Sequence, residues 1–344
     1  MSQNNWESLS MYQNQVSRIL KNSFSNHRLA HSYIFEGPIG TKRFETAKLF
    51  AATLLCTNLS DSFNPCGVCH NCIRVENESH PNLFVIRRDG EKIKKKQMKD
   101  LLIEFSKSSV EVGPRIYIID EAERLNVESA NTLLKTMEEP GAEIYQIIVT
   151  DQVNSLLKTI ISRAQVIHFK PIDKRLIETD LVNKGINPLY AESIPEYTNN
   201  YEEAEKIALN EEMTSLILFV KEMYLSLALQ KGSVILMFKE KRELFISDAL
   251  LTDFVLSMMI LFQKDILGYK LRHLDQLVFK DQTEILEKCS KRMSQTWIEQ
   301  TLDEMLGLKL KLKYNINSQF AFDKMLLTLE RGYIDGISSR SNSI

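Results

Sequence analysis

The chain has 344 residues, 44% of them hydrophobic and 26% charged, with 43 Lys+Arg against 45 Asp+Glu for a formal charge of −2. At roughly 100–200 residues per domain, that length predicts two or three domains. The composition excludes a disordered, collagen-like or disulfide-packed chain, and the near-neutral balance excludes a global basic field for duplex DNA while leaving room for a local patch.

The N-terminus, Met1 to Trp6, has neither a basic stretch nor an apolar run, so no signal peptide is expected. From His31 to Lys170, short β-rich runs alternate with helical patterns. Ser32 to Phe35, Leu83 to Ile86, Ile116 to Ile119, Ile144 to Val149 and Val166 to Phe169 read as strands. Ala130, Leu133, Leu134 and Met137 recur at helical spacing, and Pro140-Gly141 stops that run. The alternation predicts an α/β domain with a parallel sheet covered by helices on both faces. After Pro171 the strand signals fade. Residues 172–208 read as short helices broken at Gly185 to Pro188 and at Tyr197 to Asn200. From Glu211 the pattern is helical, with Met213, Leu216, Ile217, Val220, Tyr224 and Leu227 on one stripe that reads as core. The most apolar run, Phe254 to Phe262, is too short for a membrane helix, which needs about 20 apolar residues. Ser338 to Ser343 reads as a frayed tail.

Gly37-Pro38-Ile39-Gly40-Thr41-Lys42-Arg43-Phe44 follows a strand and opens a helix, which is the setting of a phosphate loop. A working loop needs a second Gly, a Lys that reaches the β/γ-phosphates and a hydroxyl that holds Mg²⁺. Here Lys42 takes the second Gly position, where a Cβ resists positive φ. Arg43 stands in place of the Lys, and Phe44 in place of the hydroxyl. No productive ATP or Mg²⁺ binding is expected. Ile116 to Ile119 runs into Asp120-Glu121, a Walker B pattern in which the Asp would bind Mg²⁺ and the Glu orient water. The alternative is that these carboxylates cap the next helix.

Cys66, Cys69 and Cys72 form two x2 spacings, with Cys56 ten residues upstream. Four thiolates on short loops suit structural Zn²⁺. An iron–sulfur site uses a similar run but would continue differently, and His70 and His80 are alternative ligands. Cys289 stands apart and reads as buried packing. Ser162-Arg163 lies just before the last strand, where a guanidinium could serve a neighbouring subunit's γ-phosphate in trans.

Taken together, Gly37 to Gly40, the four-cysteine insert, Ile118 to Glu121, Asn131 to Pro140 and Ser162-Arg163 resemble the clamp-loader ATPase-type subunits of bacterial DNA polymerase III, an AAA+ family. The altered phosphate loop is similar to the delta-prime type of that family rather than to the motor type (gamma/tau). The resemblance covers residues 9–170 by motif and the remainder by helical character alone. It implies an AAA+ module over residues 1–170 with a zinc insert at 56–72, a small helical lid over 171–208, an all-α collar over 209–335 and a tail over 336–344. It also implies a cytoplasmic, non-hydrolysing stator within a pentameric ring. The partners would be gamma/tau and delta subunits, with the sliding clamp and primed DNA in the assembled complex. Arg163 would complete the neighbour's ATP site. Thr150 matches the family's sensor position, and Ala164 departs from its usual Ser-Arg-Cys.

Two rivals stand beside this reading. An active AAA+ ATPase, of the motor or DNA-repair type, requires Gly-Lys-Ser/Thr, against Lys42-Arg43-Phe44. A stand-alone zinc-dependent nucleic-acid module would use Lys92, Lys94, Lys95, Lys96 and Lys99, but no aromatic residues interleave with them for base stacking.

Overall fold

A computed structural model describes residues 5–106, 111–138, 141, 143–229, 231–245, 248–312 and 320–330. The chain forms two compact units, residues 1–173 and 174–344.

The first unit opens with helices α1 (Trp6–Tyr12) and α2 (Asn14–Ser25), then β1 (Ser32–Glu36), α3 (Arg43–Leu55), α4 (His70–Glu76), β2 (Leu83–Ile86) and α5 (Lys95–Ser106). It continues with β3 (Arg115–Ile119), α6 (Val127–Glu138), β4 (Ile144–Thr150), α7 (Lys158–Ile161) and β5 (Gln165–His168). The five strands make one parallel sheet in the order β2-β3-β4-β1-β5. Parallel strands need crossovers, and here each crossover carries helix, so both faces of the sheet are covered. The two-residue alternation of a strand then divides one run between two cores. Tyr33 and Phe35 pack with Trp6, Leu20, Phe24 and Phe50 from α1 to α3. Ile34, between them, packs with Met98, Leu133 and Ile160 from α5 to α7.

The strand runs read from the sequence agree with the observed strands to within one residue at each end. Helices α1, α2 and α5 had no counterpart in that reading. Trp6 anchors α1 by packing against Phe24 and by donating from its indole to Thr53 Oγ1 at 3.0 Å. The charged run at Lys94 to Lys99 hides the two apolar anchors of α5, Met98 and Leu101. Pro140 and the proposed tail lie outside the described residues, and α6 ends at Glu138.

The second unit is helical: α8 (Lys174–Asn183), α9 (Pro188–Tyr197), α10 (Tyr201–Leu209), α11 (Glu211–Leu229), α12 (Val234–Phe245), α13 (Ala249–Lys270), α14 (Thr283–Arg292) and α15 (Gln295–Leu312), with residues 320–330 also helical. The stripe Met213, Leu216, Ile217, Val220, Tyr224 and Leu227 is buried along α11. A polar tie runs through this core. Tyr224 donates to Gln263 Oε1 at 3.0 Å, and Gln263 Nε2 donates to Thr301 Oγ1 at 2.6 Å, joining α11, α13 and α15. Among the described residues, no helix is long and apolar enough to cross a membrane.

Candidate functional site

The C-terminal ends of β1, β3 and β4 share one edge of the sheet, where open α/β sheets bind ligands. Glu36 ends β1, Asp120 follows β3, and Thr150-Asp151 closes β4.

The turn after β1 takes positive φ at Gly40 and Lys42 and lacks the side chains of a working phosphate loop. Lys42 is left-handed, with φ 63°, so it adopts the conformation its Cβ opposes. Such a residue costs about 1–2 kcal/mol. Its Nζ lies 4.7 Å from the centroid of the Tyr12 ring. Gly37 has a packing reason to remain Gly: a Cβ there would lie 2.4 Å from the carbonyl oxygen of Phe169 and 2.8 Å from its Cβ. Phe44 stacks under the Arg87 guanidinium at 4.6 Å. The hydroxyl position is therefore an aromatic support for a cation.

The acidic strand end is met by the protein's own arginines. The parallel register pairs Ile86 with Ile119, so the residues that follow, Arg87-Arg88 and Asp120-Glu121, emerge side by side. Arg88 Nε lies 2.7 Å from Glu121, and Arg87 Nε lies 3.9 Å from Asp120 while its two terminal nitrogens grip Glu78. Burial raises the pKa of Asp120, against the Glu121 amide and the Arg87 and Arg43 charges. Glu123 accepts from Thr150 Oγ1 at 2.8 Å. The sequence reading named Arg43 but missed Arg87 and Arg88. Their signal was their place just after β2, and it becomes readable only once β2 is known to lie beside β3.

The four cysteines converge at the end of α3 and the start of α4. All four Sγ atoms of Cys56, Cys66, Cys69 and Cys72 lie within 4.8 Å of one another. The Cys56–Cys69 and Cys66–Cys72 Sγ pairs are each 4.0 Å apart. Tetrahedral Zn²⁺ with bonds of about 2.3 Å requires sulfur–sulfur edges of about 3.8 Å. Backbone amides of Cys66, Cys69 and Cys72 point at the sulfurs of Cys56, Cys66 and Cys69 at 3.3 to 3.4 Å, as suits thiolates. Burial opposes ionisation of Cys69, but the Cys72 amide and Thr57 outweigh it and bring its pKa down to about 5. The group could hold a metal ion such as Zn²⁺, and its donor set fits. His80 is directed elsewhere: it is buried, with Nδ1 accepting from the Asn82 amide at 3.1 Å. Cys289 is buried in the second unit.

Arg163 follows α7. Its Nη2 lies 3.0 Å from Glu138 at the end of α6, and its Nη1 donates to the Thr159 carbonyl at 3.2 Å. Of the five lysines, Lys94 pairs with Asp89 and Lys95 with Glu128, while Lys92, Lys96 and Lys99 are exposed.

Comparison with known proteins follows the same division. The family described as DNA polymerase III, delta subunit, matches residues 12–173, and its C-terminal family matches residues 219–331. DNA polymerase III subunit delta' of Bacillus subtilis is 31% identical over 95% of this chain and 99% of its own length. The chain belongs to the delta-prime family of DNA polymerase III subunits. The fold is accordingly that of an AAA+ clamp-loader module followed by a helical region, with a four-cysteine cluster in the module. Against the tau subunit of Escherichia coli the likeness is 32% over 49% of this chain and 26% of that protein. A gamma subunit-related protein from Thermotoga maritima aligns over 93% of this chain and 99% of its own, at 17% identity and TM-score 0.43. Within a delta-prime chain, the altered loop, the arginine-filled acidic edge and the cysteine cluster are thus parts of a clamp-loader subunit.

Proposed function

We propose that this chain is a non-hydrolysing stator of the clamp loader, which supplies Arg163 in trans to the ATP site of a neighbouring subunit. The observation that carries the first half is the meeting of Asp120 and Glu121 with Arg87 and Arg88. Asp120 and Glu121 already face guanidinium groups of this chain, Arg43 stands where the phosphate-binding Lys would be, and Phe44 offers no hydroxyl for Mg²⁺.

The second half is supported by the position of Arg163 and its chemistry. It follows α7 on the partly exposed surface, and its partner Glu138 is half exposed. An exposed ion pair of this kind is worth about 0–1 kcal/mol, so a phosphate can displace it at little cost. A planar guanidinium delivered to a γ-phosphate stabilises the charge of phosphoryl transfer.

The remaining proposals follow the family. Residues 171–208 would serve as the lid and 209–335 as the collar, both largely within the helical second unit. The partners would be gamma/tau and delta subunits, with the sliding clamp and primed DNA contacted in the assembled ring in the cytoplasm. Cys56, Cys66, Cys69 and Cys72 would hold a structural Zn²⁺ that ties α3 to α4 and takes no part in hydrolysis. Equilibrium binding of ATP·Mg²⁺ to the isolated chain tests the first half. Absence of binding is expected, and tight binding with turnover would instead make the chain an active ATPase.

A further inference from the structure

Arg87 donates through both terminal nitrogens to the Glu78 carboxylate at 2.7 Å each, and its Nε lies 3.9 Å from Asp120. The same guanidinium stands 4.6 Å from the centroid of the Phe44 ring. Phe44 holds the position of the phosphate-loop hydroxyl, and Asp120 that of the Walker B carboxylate. In a working site those two positions share the Mg²⁺ ion. Here one positively charged side chain of the chain itself touches both.

The fold brings the group together from four directions. Arg87 leaves β2, Asp120 leaves the paired end of β3, and Phe44 is the second residue of α3. Glu78 lies just beyond α4, whose end is fixed to α3 by Lys48 Nζ donating to the Glu76 carbonyl at 2.9 Å. Glu78 and Glu121 have left-handed backbone, with φ 52° and 51°, a conformation that residues with a Cβ rarely adopt. Each of these two acids meets one of two successive arginines, Glu78 with Arg87 and Glu121 with Arg88. Glu78 does most to raise the Arg87 pKa, burial opposes it, and Asp120 and Glu121 add to the rise. A guanidinium suits this seat because its face stacks on an aromatic ring while its edge grips a carboxylate.

We propose that Arg87 is the resident cation of the metal position: seated on Phe44 and gripped by Glu78, its guanidinium neutralises Asp120 and bars a divalent ion. It supplies charge to the acidic edge without the open coordination positions through which a metal ion bridges nucleotide phosphates. This deepens the non-hydrolysing reading and rests on it for that consequence, while the seat of Arg87 stands on its contacts.

The test is a titration of the full chain, zinc-loaded and free of nucleotide, with Mn²⁺ as the probe and free Mn²⁺ read by electron paramagnetic resonance. Arg87 is half exposed, so its variants should fold. Arg87→Gln removes the charge and should bind one Mn²⁺ at least about tenfold more tightly than wild type, because a unit positive charge beside the carboxylate ligands is lost. Adding Asp120→Asn to Arg87→Gln should abolish that gain. Arg87→Lys keeps the charge without the two-pronged grip and should gain a smaller part of the affinity. Arg28→Gln makes the same change in net charge at an exposed residue before β1, at the opposite end of that strand, and should stay within about twofold of wild type. Equal Mn²⁺ affinity in wild type and Arg87→Gln overturns the proposal, as does a gain that Asp120→Asn leaves intact. Binding of ATP·Mg²⁺ by the wild-type chain is a separate readout: it would overturn the non-hydrolysing reading, while the Mn²⁺ comparison still decides the seat of Arg87.

Discussion

Arg163 and Glu138 meet at 3.0 Å, joining the end of α6 to the residue that follows the short helix α7. The acidic partner belongs to the Leu134 to Pro140 run that made the family legible in the sequence, yet nothing in that run announces the arginine as its partner. Both side chains are partly exposed, so the pair orients more than it stabilises. Glu138→Gln should change stability by less than about 1 kcal/mol. In a reconstituted ring it should leave maximal ATP turnover within about threefold, since an exposed partner of this kind is exchanged and not consumed. Chemical denaturation and steady-state turnover check the two halves.

Removing one cysteine ligand should be felt locally and through the metal. Cys69→Ser leaves three thiolates, and bound Zn²⁺ should fall from one per chain to a small fraction. The Tm of the first unit should fall, since metal binding contributes to folding. Elemental analysis and calorimetry of wild type and variant decide it, and a wild-type chain that carries no zinc after metal-replete expression contradicts the zinc assignment.

Gly37 is the position whose conservation in a phosphate loop would ordinarily be credited to the phosphate. Here the Phe169 carbonyl stands 2.4 Å from where a Cβ would be, and this is backbone that cannot swing away. Gly37→Ala should therefore destabilise the first unit by about 1–3 kcal/mol as overpacking, with ATP playing no part. Denaturant unfolding with and without ATP·Mg²⁺ should give the same loss.

Asp265 gives the second unit a pH signature. It is buried, its Oδ2 accepts from the amides of Val278 and Phe279, and burial lifts its pKa to about 6. The raised value means that the folded state binds more protons than the unfolded state between about pH 4 and 6. Its contribution to stability thus falls as pH rises through that window and is least favourable above it, by about 3 kcal/mol. Asp265→Asn retains an oxygen for the two amides and loses the charge. It should stabilise the chain at neutral pH and flatten the difference between about pH 4.5 and 7.5 relative to wild type. A variant less stable than wild type at neutral pH contradicts this account of Asp265.

Much of the first unit was readable because its strands are short apolar runs between turn signals, and a buried parallel sheet leaves that pattern in the chain. The cysteine cluster was readable because its ligands lie within seventeen residues of one another. What escaped reading depended on strand order. Arg87 and Arg88 look like solvated charges until Ile86 is known to pair with Ile119, which sets them against Asp120 and Glu121. Lys42 shows a different gap: the local preference against positive φ is overridden at the residue that leads from the turn after β1 into α3.

The central claim is that this chain spends no ATP and completes the site of a neighbour that does. The direct measurement is ATP turnover, on primed DNA with the sliding clamp, by a ring reconstituted from motor and delta subunits with either wild type or Arg163→Ala. An arginine in trans is worth about 10³-fold or more at the site it serves. The account predicts that the variant folds and assembles normally, that the isolated wild-type chain shows no turnover, and that the ring with Arg163→Ala loses the share of turnover belonging to one site together with most clamp loading. Unchanged turnover and loading with Arg163→Ala, in a ring of normal composition, would contradict it.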